Sequence, residues 1–472
     1  MPGGGIMSTS VTLALTGGQH TRLKAHLFPG DGKEAAAIAL CGRRAGRGRH
    51  SLVVRELHPV PYEVCTRRAP DGISWPVEWM DNLLDRAAVE GWSIVKVHSH
   101  PADYRRFSEA DDRSDAPLFA GIHALINLPA PHASVIMLVD GSMIGRTVGP
   151  EGEFEPLESI TVVGDDIRIW HHVPPVPCAR VLTVGRATPA FGHRMTAELG
   201  RLTAAVIGCS GTGSIVIEQL ARLGFGRLIL VDPEIVEPKN LNRIVNATWR
   251  DAEKAASKVA VATRAITAIG LGTVVEGYAG NLIARSVVEA VAEADILFGC
   301  VDSAEARDVL NRISTHYLIP YIDVGVRIGA LPDGTIDRID GVVHYIQPGR
   351  SSLLSREAYR VSQVSAEGLK RRNPALYAER LREKYIDGAG EEAPAVINVN
   401  MTMASLAVNE YLARLYRTRN SANWDFATTR VNLAEMEIET IAEGEVCPIF
   451  AAGLGAGDTS PPLGLPELSV TS

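Results

Sequence analysis

The chain has 472 residues, of which 46% are hydrophobic, with a formal net charge of −8 and a pI near 5.9. That length suits two or three domains with substantial cores, and the acidic balance excludes a general nucleic-acid binder, which needs a basic face. No run reaches the ~18 uncharged apolar residues of a membrane helix, and Met1 to Ser10 lack the basic-then-apolar order of a signal peptide. The cysteines, Cys41, Cys65, Cys178, Cys209, Cys300 and Cys447, form no C-x-x-C pair, which fits a reducing compartment. A cytoplasmic protein with no nucleic-acid or membrane partner is expected.

Residues Val11 to about Val163 alternate apolar strands with one clear helix, and a first domain is set over 11–165. Glu34 to Cys41 either ends a helix or opens a strand. Ser51 to Leu57 alternates as a strand. Pro76 to Glu90 has helical spacing, with Trp79, Leu83, Leu84 and Ala87 on one face. Ser93 to Val97 is a strand that delivers His98 at its end, and His132 to Val139 is another apolar strand. The Pro-rich stretch Val173 to Pro177 marks an interdomain linker, set over 166–185. From Leu202 the order becomes strand, Gly turn, helix, strand. Leu202 to Gly208 and Arg227 to Asp232 are strands around a helix at Gly213 to Leu223. A helix at Lys254 to Ile269 and strands at Ile296 to Val301 and Tyr321 to Val324 continue a doubly wound parallel sheet over 186–450. Ser365 to Tyr385 and Asn398 to Leu415 read as helices, and Thr429 to Ile438 as a terminal strand. Residues 451–472, rich in Gly, Pro and Ser, read as a disordered tail.

The run His98-Ser99-His100-Pro101 carries the first chemistry. Residues i and i+2 of a strand point to one side, so His98 and His100 can converge on one metal. Asp111, eleven residues after His100, falls at the start of the next helix, with Ser108 placed to cap it. Three such ligands with a fourth position left for water are the usual pattern of hydrolytic zinc sites.

These residues and offsets resemble the JAMM motif of the JAB/MPN family. The resemblance implies that His98, His100 and Asp111 hold Zn2+. It also implies that Glu34 shuttles the proton of the attacking water, and that Ser108 stabilises the tetrahedral intermediate. Glu56 is the rival for the Glu role. Members of that family cleave peptide or isopeptide bonds after the Gly-Gly end of ubiquitin-like proteins.

The run Gly208-Cys209-Ser210-Gly211-Thr212-Gly213 follows a buried strand and opens a helix. Such a turn brings backbone N–H groups to phosphate. Asp232 ends the next strand, nineteen residues after Gly213, where an acid meets ribose hydroxyls. The turn alone suits NAD as readily as ATP. Asn240-Leu241-Asn242-Arg243, then Lys258, then Asp302-Ser303 resemble the MoeB/ThiF/HesA adenylyltransferases, the core of ubiquitin-activating enzymes. The resemblance runs from about Arg186 to Cys447, and Arg307 and Asn311 also fit it. It implies an ATP site in which Gly208, Gly211 and Gly213 cradle phosphates and Asp232 holds the ribose. Asn240, Asn242, Arg243 and Lys258 lie by the triphosphate, and Asp302 with Ser303 serves Mg2+. The fold expected is therefore α/β: a JAB/MPN α/β domain followed by a Rossmann-like, doubly wound ThiF-type adenylation domain.

The chain departs from that family in three ways. The early Arg segment is degenerate, with Arg186 as surrogate. The two C-x-x-C pairs of a structural zinc site are missing, and Cys447 stands where their last cysteine would be. No cysteine lies between Cys300 and Cys447 to form a thioester. Of the remaining features, His171-His172 face opposite ways in an extended chain and suit no shared metal. Lys370-Arg371-Arg372 read as a solvated helix face or a guide for an acidic partner.

The resemblances together imply a bifunctional enzyme of a bacterial ubiquitin-like pathway. One domain is a zinc peptidase that processes or deconjugates a β-grasp protein with a Gly-Gly tail, and the other adenylates the C-terminal glycine of that protein. A homodimer and either a conjugating enzyme or a sulfur donor are expected as partners. Two alternatives stand beside it: sulfur-carrier activation without conjugation, and a non-catalytic scaffold that binds the ubiquitin-like protein.

Overall fold

The computed structural model describes residues 10–175, 194–330, 336–383 and 396–469. Arg186 and Cys178 lie outside the described residues, as does part of the expected linker. By its contacts the chain divides into two units, one mainly of residues before 175 and one mainly after.

In the first unit the alternation of apolar residues builds a nine-stranded sheet. Its strands are β1 (Ser10–Thr16), β2 (Ala36–Ala45), β3 (Arg49–Pro59), β6 (Ser93–His100), β7 (His132–Leu138), β8 (Met143–Val148), β9 (Phe154–Pro156), β10 (Ser159–Val163) and β11 (Ile167–His171), with β4 (Arg67–Ala69) and β5 (Gly72–Ser74) forming a separate hairpin. The order in the sheet is β11-β10-β1-β3-β2-β6-β7-β8-β9. Strand β2 shows why both faces must be covered. Its Ala37, Ala39 and Cys41 point into one core with Leu13, Leu15, Leu23 and Val97, while Ile38 and Leu40 point into a second with Leu83, Leu84, Phe119 and Ile122. A strand buried on both sides reads as a continuous apolar run rather than an alternating one. Helix α1 (Gly17–Leu27) supplies Leu23 and Leu27 to the first core, and α2 (Asp81–Glu90) and α3 (Glu109–Leu125) cover the second.

Glu34 to Cys41 thus opens a strand. The single expected helix over Pro76 to Glu90 is divided: Val77–Met80 forms a 3₁₀ turn behind Pro76, and the α-helix begins at Asp81.

The second unit follows the alternation expected of a doubly wound sheet and then leaves it. Strands β12 (Thr203–Ile207), β13 (Arg227–Val231), β14 (Val274–Tyr278), β15 (Ile296–Gly299) and β16 (Tyr321–Ala330) are parallel, in the order β14-β13-β12-β15-β16. Three antiparallel strands follow: β17 (Ile336–Ile346), β18 (Thr428–Asn432) and β19 (Glu437–Ile441). Helices α4 (Gly211–Leu223), α5 (Lys258–Ile269), α6 (Arg285–Val291), α7 (Ala304–Tyr317), α8 (Val361–Arg372) and α9 (Ile397–Tyr416) pack in the same unit, beside others. The strand order reverses between β12 and β15, so the glycine turn after β12 lies at the switch point where such sheets bind ligands.

Four expectations are corrected here. The strand at Tyr321 runs on to Ala330 and turns back into β17, because Gly325 and Gly341 leave room for that long hairpin to pack. The helix expected over Ser365 to Tyr385 breaks at Asn373, which caps a new helix starting at Pro374, since proline cannot continue the hydrogen-bond ladder. Thr429 to Ile438 is two paired strands, turned around Met436 at φ +58°. Residues 452–469 of the expected disordered tail are packed, with Leu463 and Leu468 fully buried.

Candidate metal centre and nucleotide-binding turn

Strand β6 ends on His98 and His100, whose Nε2 atoms lie 3.1 Å apart. Helix α3 brings Asp111 to both: Oδ1 is 3.0 Å from His98 Nε2 and Oδ2 is 3.5 Å from His100 Nε2. Among the described residues these form the one group of three metal-capable side chains whose ligand atoms lie within 4.8 Å of one another. Ligand atoms at 2.0–2.1 Å from a tetrahedral zinc sit roughly 3.3 Å from each other, and the three observed separations bracket that value. His100 Nδ1 is 2.7 Å from the carbonyl of Tyr104. A carbonyl only accepts, so Nδ1 carries the proton and Nε2 presents a lone pair, as a metal ligand requires. Burial lowers the pKa of His98; at His100 the hydrogen bonds to Asp111 and to the Tyr104 carbonyl outweigh burial and raise it. Burial alone would raise the pKa of Asp111, but hydrogen bonds from His100 and His98 outweigh it and hold the carboxyl well below its usual range. Two imidazoles, which shed their Nε2 protons on binding a metal, and one carboxylate are a donor set that fits zinc.

Ser108 caps α3. Its Oγ donates to Asp111 Oδ2 at 2.7 Å and accepts the Asp111 N–H at 3.2 Å. The hydroxyl is therefore engaged in orienting a ligand.

Glu34 lies two residues before β2. In that antiparallel pairing Ala36 faces His98, so continuing the register sets Glu34 opposite His100. Burial pushes its carboxyl up to about 7, and the charges of His100 and Asp111 act on it. Ser99, which the sequence reading passed over, fixes this approach. Its Oγ accepts the Ala35 N–H at 2.9 Å, and its own N–H donates to the Ala35 carbonyl at 3.0 Å. Ser99 alternates with the two histidines and faces the other way, toward β2, a placement that needs the strand partner to be known. The rival Glu56 is elsewhere, bound to Arg86 at 2.6 Å and His58 at 3.0 Å. His171 and His172 line a cleft that includes none of the three ligands.

In the second unit the turn between β12 and α4 is held open by glycine. Gly208 has φ +90°, and a Cβ there would lie 2.4 Å from the carbonyl oxygen of Cys300. At Gly211 a Cβ would meet Asn400 Nδ2 at 2.3 Å and Arg243 Cδ at 3.3 Å, so Arg243 and Asn400 converge on the turn. Asn400, from α9, also accepts from Thr212 Oγ1 at 3.3 Å. It lies some 190 residues away in sequence and had no local signal. Ser214 Oγ accepts the Val245 N–H at 3.1 Å and ties the segment of Arg243 to the turn.

Asp232 is buried, and burial raises its carboxyl. Its two oxygens accept the N–H groups of Cys209 at 2.7 Å and Glu234 at 2.8 Å, leaving a second lone pair on each. Lys258 is almost fully buried and its Nζ is bonded to Glu234. Asn240 is buried in a capping turn, its Oδ1 on the Glu237 N–H at 3.1 Å, while Asn242 is exposed. Asp302 is exposed on the loop after β15, and Ser303 Oγ caps α7 at the Ala306 N–H, 3.2 Å away. Arg307 bonds the buried Asp323 at 3.1 Å, and Asn311 bonds Tyr359 at 3.1 Å. Lys370, Arg371 and Arg372 are exposed, and Arg371 and Arg372 pair with Glu305 and Glu467 within the unit. Cys447 is 2% exposed at the start of a four-residue helix.

Two modules of different chemistry therefore share the chain, a JAB-type domain and a ThiF-type domain. The ThiF family profile matches residues 185–446, more than half of the chain, and the chain belongs to that family. The profile described as prokaryotic homologs of the JAB domain matches residues 19–143. Ubiquitin-like modifier-activating enzyme 5 of Drosophila willistoni is 30% identical over 159 residues, covering 31% of this chain and 36% of that protein. The same enzyme of Culex quinquefasciatus is 25% identical over 286 residues, covering 58% and 64%. The chain thus spans less than two thirds of either relative. Among solved structures, E. coli MccB with succinimide aligns at TM-score 0.41 and 18% identity, over 57% of this chain and 73% of that one. The microcin C7 biosynthetic enzyme MccB in complex with N-formylated MccA aligns at 0.42 and 18%, over 58% and 76%. No helix among the described residues is long and apolar enough to cross a membrane.

Proposed function

We propose that the chain is a bifunctional enzyme of a bacterial ubiquitin-like pathway, acting at the Gly-Gly end of one β-grasp partner. The first unit is a zinc-dependent peptidase or isopeptidase that processes or deconjugates that partner. The second adenylates its C-terminal glycine. The observation that carries the peptidase half is the set of Nε2 and Oδ atoms of His98, His100 and Asp111 at zinc-ligand spacing, with Glu34 opposite.

Held by those three residues, zinc supplies the Lewis acidity that amide hydrolysis needs. Glu34, opposite His100, takes a proton from the attacking water at its carboxylate and returns it to the leaving amine. Ser108 and the Tyr104 carbonyl hold Asp111 and His100 in place, so no reorganisation is required during reaction.

In the second unit ATP supplies the adenylyl group, and Mg2+ offsets its phosphate charge. The backbone of Gly208 to Gly213 and the N-terminus of α4 receive the phosphates, and the second lone pairs of Asp232 take the ribose hydroxyls. Arg243, beside Gly211, supplies positive charge where the incoming carboxylate and the α-phosphate would repel. Lys258 reaches the phosphates by exchanging its partner Glu234. Asp302 and Ser303 serve the metal side. A homodimer through this unit is part of the same reading.

The cysteines favour a second reading for the acyl-adenylate. Among the described residues Cys41, Cys209 and Cys447 are buried, and burial raises the thiols of Cys209 and Cys300. None is an exposed, activated thiol. Transfer to an external sulfur donor, as in sulfur-carrier activation without conjugation, is therefore the alternative to conjugation.

The experiment takes the purified full chain. One zinc per chain, release of a tag fused after Gly-Gly, and ATP–pyrophosphate exchange with a Gly-Gly-ended β-grasp protein are the expected results. A protein that holds zinc and ATP but turns over neither substrate would instead be the non-catalytic scaffold.

A further inference from the structure

The first unit contains a cleft of about 630 Å³ that none of the chemistry above uses. That volume lies within the ordinary range of ligand pockets. Phe107, Met143, Phe154, Leu157, Ile160 and Trp170 are among its walls. On β9 the residues alternate, so Phe154 and Pro156 face the cleft and Glu155 does not. Its charged lining is of one sign: Arg105, Arg106 and Arg146 are present, and no acidic residue is.

The arginines differ in what they are free to do. Arg146 is committed to the floor. Its guanidinium pairs with Asp112 and Asp115 and lies 3.8 Å and 3.7 Å from the ring centres of Phe107 and Phe154. Exposed Arg105 shares Asp103 and Asp140. Exposed Arg106 donates through Nε to Tyr104 OH and has no carboxylate within ion-pair distance among the described residues. In a chain of net charge −8, that leaves an uncompensated cation at the lip of an apolar cleft.

Phe107 links the cleft to the metal centre. The Phe107 ring lies 6.3 Å from the His98 ring, centre to centre, and the next residue is Ser108, the cap that orients Asp111. We infer that this cleft is a specificity subsite for the peptide flanking the scissile bond, and that it takes a bulky apolar residue beside an acidic one. The inference rests on the peptidase reading for its direction. The apolar side chain loses water against Phe154, Leu157 and Trp170, and the carboxylate meets Arg106, whose planar fork suits bidentate pairing.

The test uses full-length protein and fluorescein-labelled peptides whose scissile amide is replaced by a methyleneamine. Gly-Gly is followed by Phe-Glu, Phe-Lys or Ser-Glu, and binding is read by fluorescence anisotropy. The Phe-Glu peptide should bind at least tenfold more tightly than either of the others. Arg106→Glu should abolish the advantage of Glu over Lys, and Arg106→Lys should retain most of it. With cleavable peptides Arg106→Glu should raise KM and leave kcat unchanged. Equal binding of the three peptides, or a preference that survives Arg106→Glu, overturns the subsite. Because binding is measured without turnover, selective binding of a Phe-Glu peptide whose natural amide is never cut would sink the peptidase reading and leave the subsite standing.

Discussion

Lys96 and Asp115 meet at 2.5 Å with both side chains sealed from solvent, and they join the two elements that carry the metal-binding side chains. Lys96 lies two residues before His98 on β6, and Asp115 one turn after Asp111 on α3. The pair therefore repeats, one step further in, the strand-to-helix approach made by His98 and Asp111. Arg146 from β8 completes the charge balance at 2.8 Å from Asp115.

Lys96→Met should cost about 3 kcal/mol, because it strips a buried carboxylate of one of its two cations. Urea unfolding of the metal-free protein measures it. The variant should also lose zinc faster to a chelator, since β6 and α3 are no longer pinned. Adding Asp115→Leu should restore part of the stability, and no recovery in that double-mutant cycle would show the pair to be uncoupled.

Acid should destabilise both units through buried histidines. His132 Nδ1 accepts the Ile94 N–H at 2.9 Å, and burial pushes its pKa down to about 3. His344, 2.9 Å from Thr428 Oγ1, is likewise pushed down to about 3 by burial. Both folded values lie below the unfolded one near 6.5. The unfolded chain therefore binds more protons between about pH 3 and 6.5. The contribution of each is complete above pH 6.5 and is lost as pH falls toward 3, by about 1.4 kcal/mol per unit. His132→Asn keeps an acceptor for Ile94 without the titration. Its urea midpoint should fall less between pH 6.5 and 4.5 than that of the wild type.

Gly208→Ala and Gly272→Ala separate space from backbone strain. Both glycines have positive φ, +90° and +95°, but a Cβ at 208 strikes the Cys300 carbonyl and one at 272 meets nothing within 4 Å. Gly272→Ala should cost about 1 kcal/mol and leave ATP binding unchanged. Gly208→Ala should cost several times more and weaken ATP binding more than tenfold by calorimetry. Equal ATP affinity in the two variants would remove the turn from the nucleotide site.

Glu367 positions the loop of Asp302. Its carboxylate accepts from Ser303 Oγ at 2.6 Å and from the N–H groups of Ala304 at 3.2 Å and Glu305 at 2.9 Å, at the start of α7. Glu367→Gln removes a charge from a helix N-terminus, worth about 1 kcal/mol. The Mg2+ concentration for half-maximal ATP–pyrophosphate exchange should rise severalfold. ATP affinity measured without Mg2+ should stay the same, and a fall there instead would place Glu367 in nucleotide binding.

Much of this was legible along the chain because the features are local. The i, i+2 histidines on a strand end, the serine cap three residues before Asp111, and a glycine turn between a buried strand and a helix all follow from short-range backbone geometry. The sequence by itself also determined the α/β class and the two-module order, since apolar period and punctuation change visibly between Val163 and Leu202. Only the tertiary structure decided which distant residues complete each site. Ser99 acts through the register with β2, Asn400 through the packing of α9 on the glycine turn, and Lys96 through a helix met nineteen residues later. It likewise divided the helix at Pro374, folded Thr429 to Ile438 into a hairpin, and packed residues 452–469, which composition alone marks as disordered. The physical reason is the same in each case. A side chain's role here depends on what loses water beside it, and burial is settled by contacts far apart in sequence rather than by local propensity.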